Sequence, residues 1–97
     1  MAEREAYREK RQAEIKEMEA EIDKLRAQAE QAKADAKIRY QEEAGRLEKS
    51  LNDVKAQLDK MGEAAEGAWD DLRSGFENSM DKLKGSVEAA RKELGSS

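Results

Sequence analysis

The apolar residues in the second half of the chain form three interleaved series that step by eleven: Leu58, Trp69, Met80; Met61, Leu72, Leu83, Leu94; and Val54, Ala65, Phe76, Val87. Eleven residues make three helical turns at about 3.67 residues per turn, slightly looser than an ideal α-helix, so the stripe runs nearly straight. A strand has a period of two and a left-handed coiled coil a period of 3.5, and neither produces this ladder. The first half is patterned differently. Ile15, Met18, Ile22, Leu25, Ala29, Ala32 and Ala36 alternate three- and four-residue steps, a heptad seam that opens with large side chains and continues with alanine. Between Tyr40 and Leu51 the step changes, through Ala44 and Leu47, and the eleven-residue regime begins. Such a change shifts a left-handed supercoil toward straight or right-handed winding.

These patterns predict a long heptad-to-hendecad helix over 1–61 and an amphipathic eleven-residue-repeat helix over 68–94. Gly62 and Gly67 bracket the segment between them. Two glycines inside a helix cost about 2 kcal/mol relative to alanine, which marks 62–67 as a hinge or turn. The ladder nevertheless crosses 62–67 in register, as a continuous rod requires and a hairpin permits. A break with fold-back is favoured over an unbroken rod. At 1.5 Å per residue the first helix would be about 90 Å long and the second about 40 Å, so the second could cover only half of the first. The uncovered half would need another chain. Residues 95–97 read as a disordered tail.

The expected fold class is therefore all-α: a long coiled-coil helix plus a shorter amphipathic helix, hairpin-like or as an extended rod, and oligomeric. The stripe assigned to self-association or partner binding comprises Ile15, Met18, Ile22, Leu25, Leu47, Leu51, Val54, Leu58, Met61, Trp69, Leu72, Phe76, Met80, Leu83, Val87 and Leu94.

On a helical wheel of 65–94, at about 100° per residue, the large apolar residues share one sector and Asp70, Glu77, Asp81 and Glu88 lie roughly opposite. Arg73, Lys84 and Arg91 form one flank, and the small residues Ala68, Gly75, Ser79, Ser86 and Ala90 the other. Two uses of such a surface compete. Small residues let a second helix approach closely while the stripe forms the seam. Alternatively, the stripe sinks into a membrane surface while the basic flank reaches lipid phosphates. The segment is near charge balance and only one flank is basic, which favours packing. Asp35/Arg39, Glu42/Arg46 and Glu88/Lys92, four apart with the acid first, each add about 0.3 kcal/mol to the helix.

Composition sharpens the picture. Of the 97 residues 43% are charged, the net charge is −4, and there is no proline. Much of the hydrophobic fraction is alanine, which buries little area, so a lone helix cannot offset its ordering entropy. Without cysteine there is no disulfide framework or thiolate chemistry, and without histidine the commonest metal ligand and general base are missing. The N-terminal MAEREAYREKRQAE has no apolar core of a secretory signal, and no apolar run is long enough to span a bilayer. A cytoplasmic protein is expected.

No phosphate-binding glycine loop, zinc motif or nucleophile elbow is written in the chain. Ser50, Ser74, Ser79 and Ser86 have no histidine to activate them. An all-carboxylate cation cage would need a loop that is not present. Arg8, Lys10 and Arg11 are interrupted by Glu9, unlike the sustained basic stripe of a nucleic-acid binder. No enzyme activity, cofactor, metal or nucleic acid is expected.

The segments EIDKLRAQAEQAKADAKIRYQEE and AWDDLRSGFENSMDKLKGSVEAA together resemble a widespread group of small bacterial coiled-coil proteins of unassigned function, which join a Glu/Lys/Ala-rich helix to an amphipathic tail. The tail around Trp69, Leu72 and Phe76 carries the more specific part of the likeness. The resemblance implies a soluble, intracellular, helical and non-enzymatic protein, and supplies no catalytic residues. The eleven-residue period is also similar to that of apolipoprotein-type and late-embryogenesis-type helices. The expected function is self-association through a helical coiled coil as a homo-oligomer, a dimer or higher, with a protein partner possible. Reversible membrane-surface binding through 68–94 is the alternative, and a stress-protectant helix is less favoured.

Overall fold

Three helices of 30 residues each, α1 (Ala2–Gln31), α2 (Ala34–Glu63) and α3 (Glu66–Gly95), run up, down and up in a computed structural model that describes residues 2–95, with side chains described over 3–93. Leu94 lies in α3 but outside the described side chains, and Ser96 and Ser97 of the expected tail lie outside the described residues. Gly95 closes α3. The bundle measures 50 × 18 × 18 Å, its long axis close to the about 45 Å of a 30-residue helix. The fold is all-α, and none of these helices is long and apolar enough to cross a membrane.

The single helix expected over 1–61 is divided. Ala32 and Lys33 reverse the chain, with Lys33 extended at φ −68° and ψ 160°. Little in the local sequence signals this stop: EQAKADAK contains no glycine or proline, Asp35 falls inside the first turn of α2 and not at its N-cap, and the N-cap residue Lys33 makes no cap hydrogen bond. Burial supplies the reason. Folding back lays Ile15, Ile22 and Leu25 against Leu47, Leu51, Val54 and Leu58, all at most 4% exposed. Each large apolar side chain so buried contributes about 1.5–3 kcal/mol, more than one uncapped turn costs. The turn sits in the alanine stretch, and Ala29 and Ala44 are fully enclosed there. Small side chains there let the α1 and α2 backbones pack closely.

The second turn falls inside 62–67 as expected, but the glycines do not make it. Ala64 and Ala65 do, with Ala64 extended at φ −72° and ψ 143°, and none of the described residues has a positive φ. Gly62 lies in the last turn of α2 and Gly67 in the first turn of α3. A Cβ at Gly67 would meet open space, whereas one at Gly62 would lie 2.6 Å from Arg8 Cζ. Gly62 thus admits a side chain from α1 and does not bend the chain.

Candidate functional site

Fifteen residues of the expected stripe have described side chains, and they form a single core within one chain. Ile15, Ile22, Leu25, Leu47, Leu51, Val54, Leu58, Met61, Trp69, Phe76, Met80, Leu83 and Val87 are buried, while Met18 and Leu72 are partly buried against them. The apolar surface that seemed to need a second chain is therefore covered by the chain itself, because two turns give three equal helices where one turn would give a long and a short one. Ala29, Tyr40, Ala44 and Ala90 complete the core, which among the described residues contains no buried charge.

Polar residues on the flanks of the seams set the register. Tyr7, Glu14 and Glu21 lie seven apart on α1, and Glu77, Lys84 and Arg91 lie seven apart on α3. Tyr7 Oη donates to Glu77 Oε1 at 3.0 Å, Lys84 Nζ pairs with Glu14 at 2.8 Å, and Arg91 approaches Glu21 at 3.8 Å. This is the ladder of two parallel helices. On the opposite flank Glu19 pairs with Lys55 and Arg26 with Glu48, seven forward on α1 for seven back on α2, the ladder of an antiparallel pair. Residues flanking a heptad seam choose partner and orientation in coiled coils, and here they do so within one molecule.

The basic flank of the wheel, Lys84 and Arg91, thus faces carboxylates of α1. The small flank, Ser79 and Ser86, faces Ser50, Asp53 and Gln57 of α2. Of the three expected intrahelical pairs, Glu88–Lys92 forms at 3.7 Å, while Arg39 pairs with Glu93 and Arg46 with Glu43.

At the end of the bundle that holds the second turn, the α1 seam changes character. Continuing its heptad backward from Ile15 and Met18 places Arg8, Arg11 and then Arg4 at seam positions. The aromatic residues of α3 and Tyr7 receive Arg4 and Arg11, while Arg8 lies against Gly62. Tyr7 meets Trp69 edge-on with ring centroids 5.8 Å apart and Phe76 at 6.4 Å. Arg4 Cζ lies 4.3 Å from the Trp69 ring centre, and Arg11 Cζ lies 5.2 Å from that of Tyr7 and 5.8 Å from that of Phe76. Such cation–ring contacts are worth about 0.5–1 kcal/mol each when partly exposed. The Nε atoms of Arg8 and Arg11 are buried without hydrogen-bond partners, the cost of seating arginines in a seam.

Arg4 does more than stack. Its Nη2 donates to the carbonyl of Ala64 at 2.8 Å and to that of Met61 at 3.3 Å. The last four carbonyls of a helix have no intrahelical donor, and a cation there also meets the negative end of the helix dipole. The C-terminus of α2 is therefore capped from α1, about sixty residues away in sequence. Neither Arg4 nor Tyr7 stands out in the apolar pattern; the backward extension of the heptad is the signal that finds the arginines.

Electrostatic consequences follow from this crowding. Burial would raise the Glu14 carboxyl, but hydrogen bonds from Lys84 and Arg11 outweigh it and hold Glu14 below its ordinary 4.5. Burial pushes the Tyr7 phenol above 10.0, opposed by its hydrogen bond with Arg11 and assisted by that with Glu77. Burial works against the Arg11 cation, yet Tyr7 and Glu14 hold it more firmly charged than usual.

Among the described residues no three acidic side chains are grouped to hold a metal ion. What the arrangement offers is a set of helical surfaces in defined register and a turn clamped from a distance. No family model, curated protein or solved structure matches the chain.

Proposed function

We propose that this chain is a non-enzymatic, cytoplasmic interaction protein that self-associates by pairing its amphipathic helices between copies. The observation that carries the reading is the ladder shared by α2 and α3. Met61, Ala65, Trp69 and Leu72 continue the stripe through the turn with steps of four, four and three, so the apolar lines of α2 and α3 join through the exposed Ala65 into one seam for another chain. A chain that only needed to fold on itself would have no use for phase continuity across a reversal. The flanking charge ladders add specificity, since they select the same parallel and antiparallel partners within or between chains.

Sedimentation of the full chain from micromolar to millimolar concentration tests the reading. A mass rising above 10.9 kDa supports it, and a monomer throughout overturns it. Adsorption on lipid would require α3 to leave α1, because Trp69 is only 8% exposed and Lys84 and Arg91 are engaged by Glu14 and Glu21. A blue shift of Trp69 emission on adding anionic vesicles would replace self-association with that use.

A further inference from the structure

We infer that two copies of this chain exchange α3 by straightening the turn at Ala64 and Ala65, and that Arg4 is the latch that opposes the exchange. The inference rests on the self-association reading and specifies how it is achieved.

Three observations converge on it. First, the turn is made of the strongest helix-forming residue and uses no left-handed backbone. Ala64 caps α2 only through a 3.3 Å bond from its own N–H to the Met61 carbonyl. A helix continued through this segment would add no new glycine to a helix, because Gly62 and Gly67 already lie inside α2 and α3. Second, the stripe keeps its phase across the turn, so straightening turns α2 and α3 into one helix of about 93 Å with its apolar residues still on one line. Third, the two carbonyls held by Arg4 are those that a continued helix would pair internally. The Met61 carbonyl would accept from the Ala65 N–H and the Ala64 carbonyl from the Ala68 N–H, replacing the Arg4 bonds at 3.3 and 2.8 Å. Arg4 thus supplies in the closed form the donors that a continued helix would supply from its own backbone, so its bonds favour the closed form over the straightened one.

In the exchanged dimer the two long helices cross antiparallel at Ala64 and Ala65. Each α3 lies in the groove between α1 and α2 of the other copy. Every contact made there inside one chain is made again between chains, including Tyr7 to Glu77, Lys84 to Glu14 and Arg39 to Glu93. What changes is local to the turn: helical hydrogen bonds are gained and the Arg4 cap on α2 is given up. Exchange of an identical element is a low-cost route to a two-fold dimer.

The test compares the wild-type chain with Glu66→Pro and Arg4→Ala after refolding from urea at high protein concentration, by light scattering on separated species. Glu66 is the first residue of α3, a position proline favours in the closed form, whereas inside a continuous helix proline is strongly disfavoured. Glu66→Pro is expected to keep the helicity of the wild type and to form dimer at least about a hundredfold less readily. Arg4→Ala is expected to form more dimer than the wild type. An independent arm uses the absence of cysteine: in Arg39→Cys/Glu93→Cys, treated with a short bismaleimide, exchanged dimers run as covalent dimers on a denaturing gel. Dimers that carry only links within one chain, or a Glu66→Pro variant that dimerises like the wild type, would overturn the exchange while leaving self-association standing. A wild-type chain that stays monomeric would overturn both.

Discussion

At the α1–α2 turn the chain reverses over Ala32 and Lys33 with a 3.2 Å bond from the Ala32 N–H to the Ala29 carbonyl and no side-chain cap on Lys33. At the α2–α3 turn it reverses over Ala64 and Ala65, between Gly62 and Gly67, and there Arg4 grips two carbonyls, Arg8 lies across Gly62, and Tyr7, Trp69 and Phe76 close over the joint. Both turns are built from good helix formers, and they are held by different means. The first is held by what flanks it, close alanine packing at Ala29 and Ala44 and the antiparallel pairs Glu19–Lys55 and Arg26–Glu48. The second is held by a specific set of side chains contributed from another helix. A turn secured by general packing opens only when the core opens, whereas one secured by a few named contacts can be adjusted separately.

The comparison can be broken most forcefully at its aromatic joint. Phe76→Ala, which empties a site with 0% exposure beside the second turn, is expected to cost about 3–5 kcal/mol in urea unfolding followed by circular dichroism. Ala29→Gly beside the first turn should cost only about 1 kcal/mol. Equal losses would mean that the two joints are not differently secured. Next in size, Arg4→Ala should destabilise the monomer by about 2 kcal/mol through its lost hydrogen bonds and ring contact, while Lys33→Ala should stay within about 0.5 kcal/mol. A silent Arg4→Ala would remove the latch from the account.

The uncapped first turn also predicts a gain. Lys33→Asp places an acceptor at the helix N-cap position of α2 and should stabilise the protein by about 1 kcal/mol, read from the urea midpoint at unchanged slope. The smallest effect expected is on pH dependence. The folded-state value of Glu14 lies below its ordinary 4.5, so its contribution is present above that pH and is lost as the pH falls through the folded-state value. Glu14→Gln should therefore flatten the acid limb of the stability curve. Tyr7 behaves with the opposite sign: its raised value makes its contribution complete below pH 10.0 and lost as the pH rises through the folded-state value, so Tyr7→Phe should flatten the alkaline limb. Arg11→Gln should act oppositely on the two limbs, flattening the acid one because Arg11 helps to hold Glu14 down, and steepening the alkaline one because Arg11 opposes the rise at Tyr7.

The patterns of the chain were sufficient to recover the helical conformation and its inward faces, but not the division of 1–61 into two helices. Period alone assigns Ile15, Ile22 and Leu25 to one face of α1, and Val54, Leu58, Met61, Trp69, Phe76, Met80 and Val87 to the faces of α2 and α3, because side-chain direction in a helix follows residue number. The sorting of α3 into a basic and a small-residue flank was equally legible, and each flank found the neighbour its chemistry suits. Even the seam arginines Arg4, Arg8 and Arg11 were written in the heptad, although arginine at a seam position gives no apolar signal to follow.

What only the tertiary structure decided is that the chain turns at Ala32 and Lys33, and that inside 62–67 it turns at Ala64 and Ala65. Ala32, Lys33, Ala64 and Ala65 favour helix individually, and no glycine, proline or capping side chain enforces a stop at those four positions. Local propensity at alanine differs from that of other good helix formers by tenths of a kcal/mol, and it points toward continuing the helix. Burial of a whole face of α1 against α2 is worth many times more, and a cation sixty residues away supplies the cap that the sequence around Ala64 omits. The helices follow from periodicity, which is local. The reversals follow from the balance between one turn's hydrogen bonds and the surface that folding back removes from water, and that balance exists only once the helices have met.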